Sequence, residues 1–458
     1  MRKIISIIAC SLFGGFAATA QTYTLQHLKD SALQNNIAVS NARLSIEAAT
    51  QQRKEVFTKY FPYVSATGLW FNANKGMAQT SFNPSEAIPA SMASALSTSL
   101  PAEALSALAN PISISMMKNG TIAGITALQP VFAGGQIVNG NRLARVGEDI
   151  SRLQLQLSEN EVERTVEQYY WQLVSLQQKI LTVAAVDTLL ADIHKDVDVA
   201  VRAGVALRND LLQVELRQNE VESQRLKLQN GISIVRLLLG QYAGLTPDPS
   251  PSGEGSGYSF NVVVPDMSRQ DFSLPSPFGE GSGVRLLPEY QILQKQVEAT
   301  KLQKNLAVGQ NLPSVAIGAG YNYHNLLDND HSFAMLFATV SVPISGWWGG
   351  SHAIKRKKIA LQQAIDEQQD KAELLQIRMQ NAWNNVVEAR QQLDIAQRSI
   401  EQSEENLRLH RDYYRAGTCK MSDLLEAQLL YQQSCDKHTD AYADLQNKIL
   451  EYRQSIGE

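Results

Sequence analysis

The sequence reads as a duplicated, mainly α-helical chain with a smaller β component that closes into a barrel only when several copies share it. Three observations lead there. Ala203-Gly204 followed by Asp210-Leu211-Leu212 reappears as Ala416-Gly417 followed by Asp423-Leu424-Leu425, at an offset of 213 residues in both parts. Pro130 and Pro343 stand at the same offset, each 80 residues before its Asp, so the chain is two copies of one structural unit. Secondly, the 69 residues after Gly134-Gly135 up to Gly204 contain no proline, enough for roughly 100 Å of helix. Thirdly, four segments of about ten residues alternate with a period of two, the length and pattern of an outer-membrane strand.

Residues 1–20 are expected to be a removable signal peptide. Arg2 and Lys3 form the charged region, Ile4 to Ala17 the apolar region, and Ala18-Thr19-Ala20 the cleavage site. Cys10 as a lipid-attachment site is the weaker alternative, because only about six apolar residues precede it where a signal needs about 7 to 15.

The first repeat, 21–242, opens with a helix over about 24–59 that ends at Tyr60-Phe61-Pro62. Strands are expected at Tyr63 to Asn72 and Thr121 to Gln129, separated by an insert of about 76–119 that the second repeat lacks. Its Ala, Ser, Met and Pro content predicts an extended external loop with room for a short helix around Ser91 to Leu96. Beyond Pro130, positions Val162, Val166, Tyr169, Leu173, Leu176 and Ile180 begin a series spaced alternately by four and three, which is coiled-coil spacing. Gly204 is suited to the left-handed helix-ending conformation and Asp210 to capping the return helix, Leu211 to about Leu239.

A linker over 243–284 carries Pro249 to Gly257 and its near copy Pro275 to Gly283, and its Pro, Gly and Ser content predicts a flexible segment with little core to bury. The second repeat, 285–458, follows the same order: a helix over 286–310, the break Asn311-Leu312-Pro313, strands at 314–325 and 333–343, then heptad positions including Ala389, Leu393, Ala396 and Ile400. Gly417 and Asp423 repeat the turn, and the return helix runs from Leu424 to about Ile456. Trp70, Phe71, Trp347 and Trp348 sit at strand ends, where aromatic rings favour a membrane interface.

Composition excludes several classes. With 41 Lys and Arg against 45 Asp and Glu, nothing points to nucleic acid. No run of 18 apolar residues offers a membrane helix. Past the signal only Cys419 and Cys435 remain, and if Asp423 opens a helix Cys435 lies about 18 Å up it, too far for a disulfide within one chain. The seven His show no metal-ligand spacing, and no nucleophile or phosphate-loop motif occurs, so neither enzyme, cofactor nor metal centre is expected. His194, His410 and His438 read as packing or surface residues, and Met77, Met92, Met116 and Met117 as apolar filler of the insert rather than soft-metal ligands. Four strands cannot close a barrel, and lipid tolerates no open edge, so the barrel has to be shared in an oligomer.

The duplicated Gly-x5-Asp-Leu-Leu turn, the equal Pro-to-Asp spans, Phe61-Pro62 before the first strand and Pro130-Val131-Phe132-x-Gly-Gly after the second together resemble the TolC-like outer-membrane efflux channels, over nearly the whole mature chain. The resemblance implies a homotrimer with a twelve-stranded barrel in outer-membrane lipid and an α-helical tunnel in the periplasm. It implies a passive exit duct, not an enzyme, fed by a periplasmic adaptor and an inner-membrane pump of the RND type. Ducts of this fold also serve type I protein secretion and heavy-metal efflux, and an exported structural coiled-coil protein is the reading from another class. By the same resemblance, Asp423 and Glu426 line the periplasmic aperture, six carboxylates in a trimer, while Asp210 and Tyr414 help hold it shut. The simpler role for Asp423 and Glu426 is helix capping and dipole compensation. Cys419 departs from the pattern, standing where relatives carry an Arg, with Arg208 or Lys420 as substitutes. Gly204, Leu211, Leu212, Gly417, Leu424 and Leu425 form the tips expected to dock the adaptor.

Overall fold

The computed structural model describes residues 21–76, 78–83, 88, 92, 112–245, 258, 260–265, 287–326, 330–344 and 346–457. The chain divides into two compact units, one of Met1–Ala48, Asp149–Gln296 and Ile365–Glu458, the other of Ala49–Glu148 and Val297–Ala364. In order the elements are β1 (Gln21–Tyr23), α1 (Leu25–Asn35), α2 (Ile37–Phe57), β2 (Tyr63–Asn72), β3 (Ala78–Phe82), β4 (Ile112–Met116), β5 (Asn119–Ala133), α3 (Gln136–Arg202) and α4 (Arg208–Tyr242). They continue with β6 (Phe260–Val262), α5 (Pro288–Gly309), β7 (Ser314–His324), β8 (His331–Ser341), α6 (Gly346–Arg415) and α7 (Met421–Ile456).

The helical unit is built from the heptads. Val162, Val166, Leu173, Val183, Val186 and Leu190 of α3 are all buried, as the spacing requires. They fall into two clusters, one with Ile232, Leu239, Tyr442 and Tyr452, the other with Val214, Val221, Met421 and Leu424 near the helix turns. From α6, Ala389, Leu393 and Ala396 are buried as expected. By length and composition alone α3 is apolar enough to cross a membrane, and a third of its most apolar stretch is buried in the structure.

Two expectations are corrected in this unit. The single helix predicted over 24–59 is two, because Asn36 takes an extended ψ of 132° and its side-chain oxygen accepts from the Ala38 N–H at 2.8 Å, starting α2 afresh. The linker predicted as flexible contains β6, which pairs in parallel with β1, Gln21 to Phe260 through Tyr23 to Val262. Phe260 and Val262 alternate with Asn261 and bury themselves in the core, and the Tyr170 hydroxyl donates to the Val263 carbonyl at 2.5 Å. Composition over the whole linker concealed that short alternating run. The two Pro-Gly-Ser nonapeptides lie outside the described residues.

In the other unit β2, β5, β7 and β8 form one antiparallel sheet in the order β2-β5-β7-β8. All four predicted strands are present. The register sorts the side chains: Val64, Trp70, Ile125, Ile317, Leu336 and Val340 share one face and are exposed, Leu336 by 87%. Ser65, Thr67, Thr126, Asn322, His324 and Thr339 share the other with Leu69, Ile122, Phe333, Met335 and Phe337, so that face is mixed. Trp70 therefore stands on the predominantly apolar face, whereas Phe71 turns to the mixed one, beside Gly120. Trp347 and Trp348 lie in the first turn of α6, the indole N–H of Trp347 donating to the Asn311 carbonyl at 2.8 Å. At the same end of the sheet the two repeats cross at Gly134, φ +58°, where a Cβ would stand 2.3 Å from the Gly309 oxygen.

The insert differs from its expectation. Its ends pair as a second hairpin, Ala78 to Met116 through Phe82 to Ile112, so the first repeat extends its strands where a loop was expected. The short helix expected at Ser91 to Leu96 lies, apart from Met92, outside the described residues.

Candidate functional site at the helical turns

Each long helical hairpin turns on the same local chemistry. At the first turn Gly204 has φ +77°, its N–H donates to the Val201 carbonyl at 3.0 Å, and the Val205 N–H reaches back to Ala200 at 2.9 Å. At the second, Gly417 has φ +73°, donating to Tyr414 at 2.9 Å, and the Thr418 N–H reaches Tyr413 at 2.9 Å. Both are left-handed helix stops that only glycine adopts without strain.

The acids are placed one turn differently from the sequence expectation. Helices α4 and α7 begin at Arg208 and Met421, so Asp210 and Asp423 are third helical residues and the caps are Leu207 and Lys420. Each carboxylate accepts from its cap's backbone N–H, Leu207 to Asp210 at 3.3 Å and Lys420 to Asp423 at 3.4 Å. The Ser422 hydroxyl donates to the other Asp423 oxygen at 3.0 Å. Asp423 thus satisfies an orphan N–H at the helix start, where the dipole also favours its charge. Glu426 is one turn on and exposed.

The turns bring together several of the residues singled out in sequence. Asp210, Tyr414, Cys419 and Leu424 line one cavity of about 680 Å³, with Arg411 and Arg415. Burial, then the charges of Asp210 and Cys419, raises the Tyr414 phenol. Burial and then Asp423 raise the Cys419 thiol, which donates to the His410 carbonyl at 3.4 Å. Arg415 approaches Asp196 of α3 at 3.7 Å. Among the expected docking residues, Leu424 is 1% exposed and Leu211 and Leu425 are packed against the same cluster, leaving Leu212 open. Val205, 80% exposed, and Leu207, 70%, are the apolar surface of the first turn, and no periodicity marks them.

Sequence reasoning also passed over a buried polar clamp between the two return helices. The Arg217 guanidinium on α4 donates to Gln428 and Gln432 on α7, both at 2.9 Å, and Gln432 donates to Gln224 at 2.7 Å. Gln428 is 0% and Gln432 2% exposed. A polar residue at a heptad position was the available signal. Cys419 and Cys435 are both free, and no group of three or more His, Cys, Asp or Glu suited to a metal occurs among the described residues.

Residues 288–458 match the family described as outer membrane efflux protein. No curated protein matches the chain by sequence. Among solved structures, the fold is similar to the outer-membrane channel OprN, at 15% identity and TM-score 0.73, covering 94% of this chain and 89% of that one. It is also similar to CusC, at 14% identity, TM-score 0.76 and coverage of 94% and 92%. The outer membrane protein VceC from Vibrio cholerae gives 14% identity, TM-score 0.71 and coverage of 94% and 96%. The fold is that of the outer-membrane efflux channels, which is the resemblance carried by the duplicated turns.

Proposed function

We propose that the chain is the outer-membrane exit duct of a tripartite efflux system. One observation carries this reading: a four-stranded sheet with β2 and β8 both open at its edges, one face predominantly apolar and exposed and the other mixing Ser65, Thr67, Thr126 and Asn322 with Leu69, Ile122, Phe333 and Phe337. Such edges are not viable in lipid. Three copies joined β8 to β2 close a twelve-stranded barrel with its predominantly apolar face in the membrane and its mixed face, which carries the Ser, Thr and Asn side chains, on the lumen. The helical hairpins form the periplasmic tunnel, and their turns meet a periplasmic adaptor through Val205, Leu207 and Leu212. An inner-membrane pump, of the RND type, supplies small molecules. The channel itself performs no chemistry; Asp423 and Glu426 set the charge of its closed end, and Asp210 and Tyr414 contribute to holding it shut.

The test is to isolate the protein with the outer membrane in detergent, measure its oligomeric state and record conductance in a planar bilayer. Trimers with steady single-channel conductance are expected, together with raised susceptibility to small toxic compounds when the gene is deleted. A stable monomer that conducts, or a protein recovered without detergent, refutes the reading.

A further inference from the structure

In the sheet unit, positive charge gathers at one end of the strands. Residue pairs Tyr63 to Leu128, Ala133 to Ser314 and Ser314 to Ser341 put the start of β2, the end of β5, the start of β7 and the end of β8 together. The helical segments that flank this end, 49–60, 136–148, 297–310 and 346–364, hold eleven Lys and Arg against three Asp and Glu, although the whole chain has more acids than bases. Duplication repeats the feature. Arg142 and Arg145 correspond, at the 213-residue offset, to Lys355 and Lys358. Both pairs are spaced by three on a helix, on one face.

In the first repeat these cations border a cavity of about 550 Å³ between the end of α2 and the start of α3. Lys54, Arg142 and Arg145 line it, and none of them makes an ion pair among the described residues; Arg53, by contrast, is held by Glu148 at 2.6 Å. Its other wall is aromatic: Phe57 stands 5.5 Å from Tyr60 and 5.6 Å from Phe61 between ring centres, and all three are exposed. The walls are tied, the Asn141 amide donating to the Val56 carbonyl at 3.2 Å and the Gln129 amide to Tyr60 at 3.1 Å. The second repeat again sets aromatic against basic, with Trp348 79% exposed two turns before Lys355.

We propose that this cavity binds the headgroup of an anionic phospholipid, the cations receiving its phosphate and the rings its glycerol and first acyl carbons. The proposal rests on the channel reading, which places this end of the sheet at the periplasmic leaflet. Unpaired cations on one face repel one another, and an anion bound among them relieves that repulsion. A free phosphate would use the cations but leave the aromatic wall in water; a lipid uses both.

The full-length protein in neutral detergent is titrated with phosphatidylglycerol, phosphatidylethanolamine or inorganic phosphate, and bound lipid is counted by native mass spectrometry. Phosphatidylglycerol is expected to bind at least tenfold tighter than phosphatidylethanolamine, and equimolar phosphate to leave it in place. Arg142→Gln/Arg145→Gln should weaken it roughly thirtyfold at low salt. Raising salt should weaken binding to the unaltered protein, independently of any variant. Equal retention of both lipids, displacement by free phosphate, no salt dependence, or a variant that alters only anion conductance would each overturn the site. A protein that conducts in bilayers without the lipid preference loses this site and keeps the channel reading. One that shows the preference without conducting loses the channel reading alone.

Discussion

Replacing Arg217 by Ala tests how firmly the two repeats are clamped. The side chain is 12% exposed and satisfies acceptors on two buried residues, while its third contact, Glu220, is 66% exposed. Without it the Gln428 oxygen has no donor from α4, and the Gln432 oxygen keeps only the Gln428 amide at 3.4 Å. An orphaned buried acceptor costs about 1–3 kcal/mol; one complete and one partial loss give about 2–4 kcal/mol. In a helical unit of this size that lowers Tm by roughly 4–12 °C. Glu220→Ala removes an exposed pair and should cost about 0–1 kcal/mol. Arg217→Leu combined with Gln428→Leu replaces donor and acceptor together and should recover part of the loss. Circular dichroism at 222 nm on the detergent-solubilised protein reads the transitions. Arg217→Ala falling within 1 °C of Glu220→Ala would show that the clamp contributes nothing, and the argument from burial would fail. Because the clamp starts about 7.5 Å along α7 from Asp423, the same variant should also raise conductance of the closed end.

Asp423→Ala/Glu426→Ala should weaken cation preference and block by multivalent cations in bilayer recordings, and unchanged selectivity would confine these carboxylates to the helix start. Because the Asp423 charge helps push the Cys419 thiol up, Asp423→Asn should lower it again and speed alkylation by iodoacetamide at pH 8; an equal or slower rate refutes the coupling. Burial lowers the His438 imidazole, so below about pH 6.5 the unfolded chain takes up a proton that the folded one refuses, and stability falls as pH falls. His438→Gln should flatten that part of a Tm-versus-pH curve, and a curve identical to the unaltered protein's would exclude His438 as its source.

The sequence by itself determined what periodicity and duplication can carry: the two repeats, the heptad faces of α3 and α6, the four strands and the two glycine turns. These patterns are local, and a buried stripe or an alternating strand requires the same residues wherever the element ends up. It also located Asp210, Tyr414 and Asp423 at the turns, though not the register by which the acids are third residues and not caps. Tertiary structure alone decided the rest. Whether Leu424 or Leu212 is open depends on which face of a short segment meets the next helix, and spacing over two residues cannot tell. Arg217 is more than 200 residues from both Gln428 and Gln432, and Arg142 and Arg145 line one cavity with Lys54 across another long separation. Strand β6 was invisible because three residues of alternation gain enough burial only when β1 lies beside them.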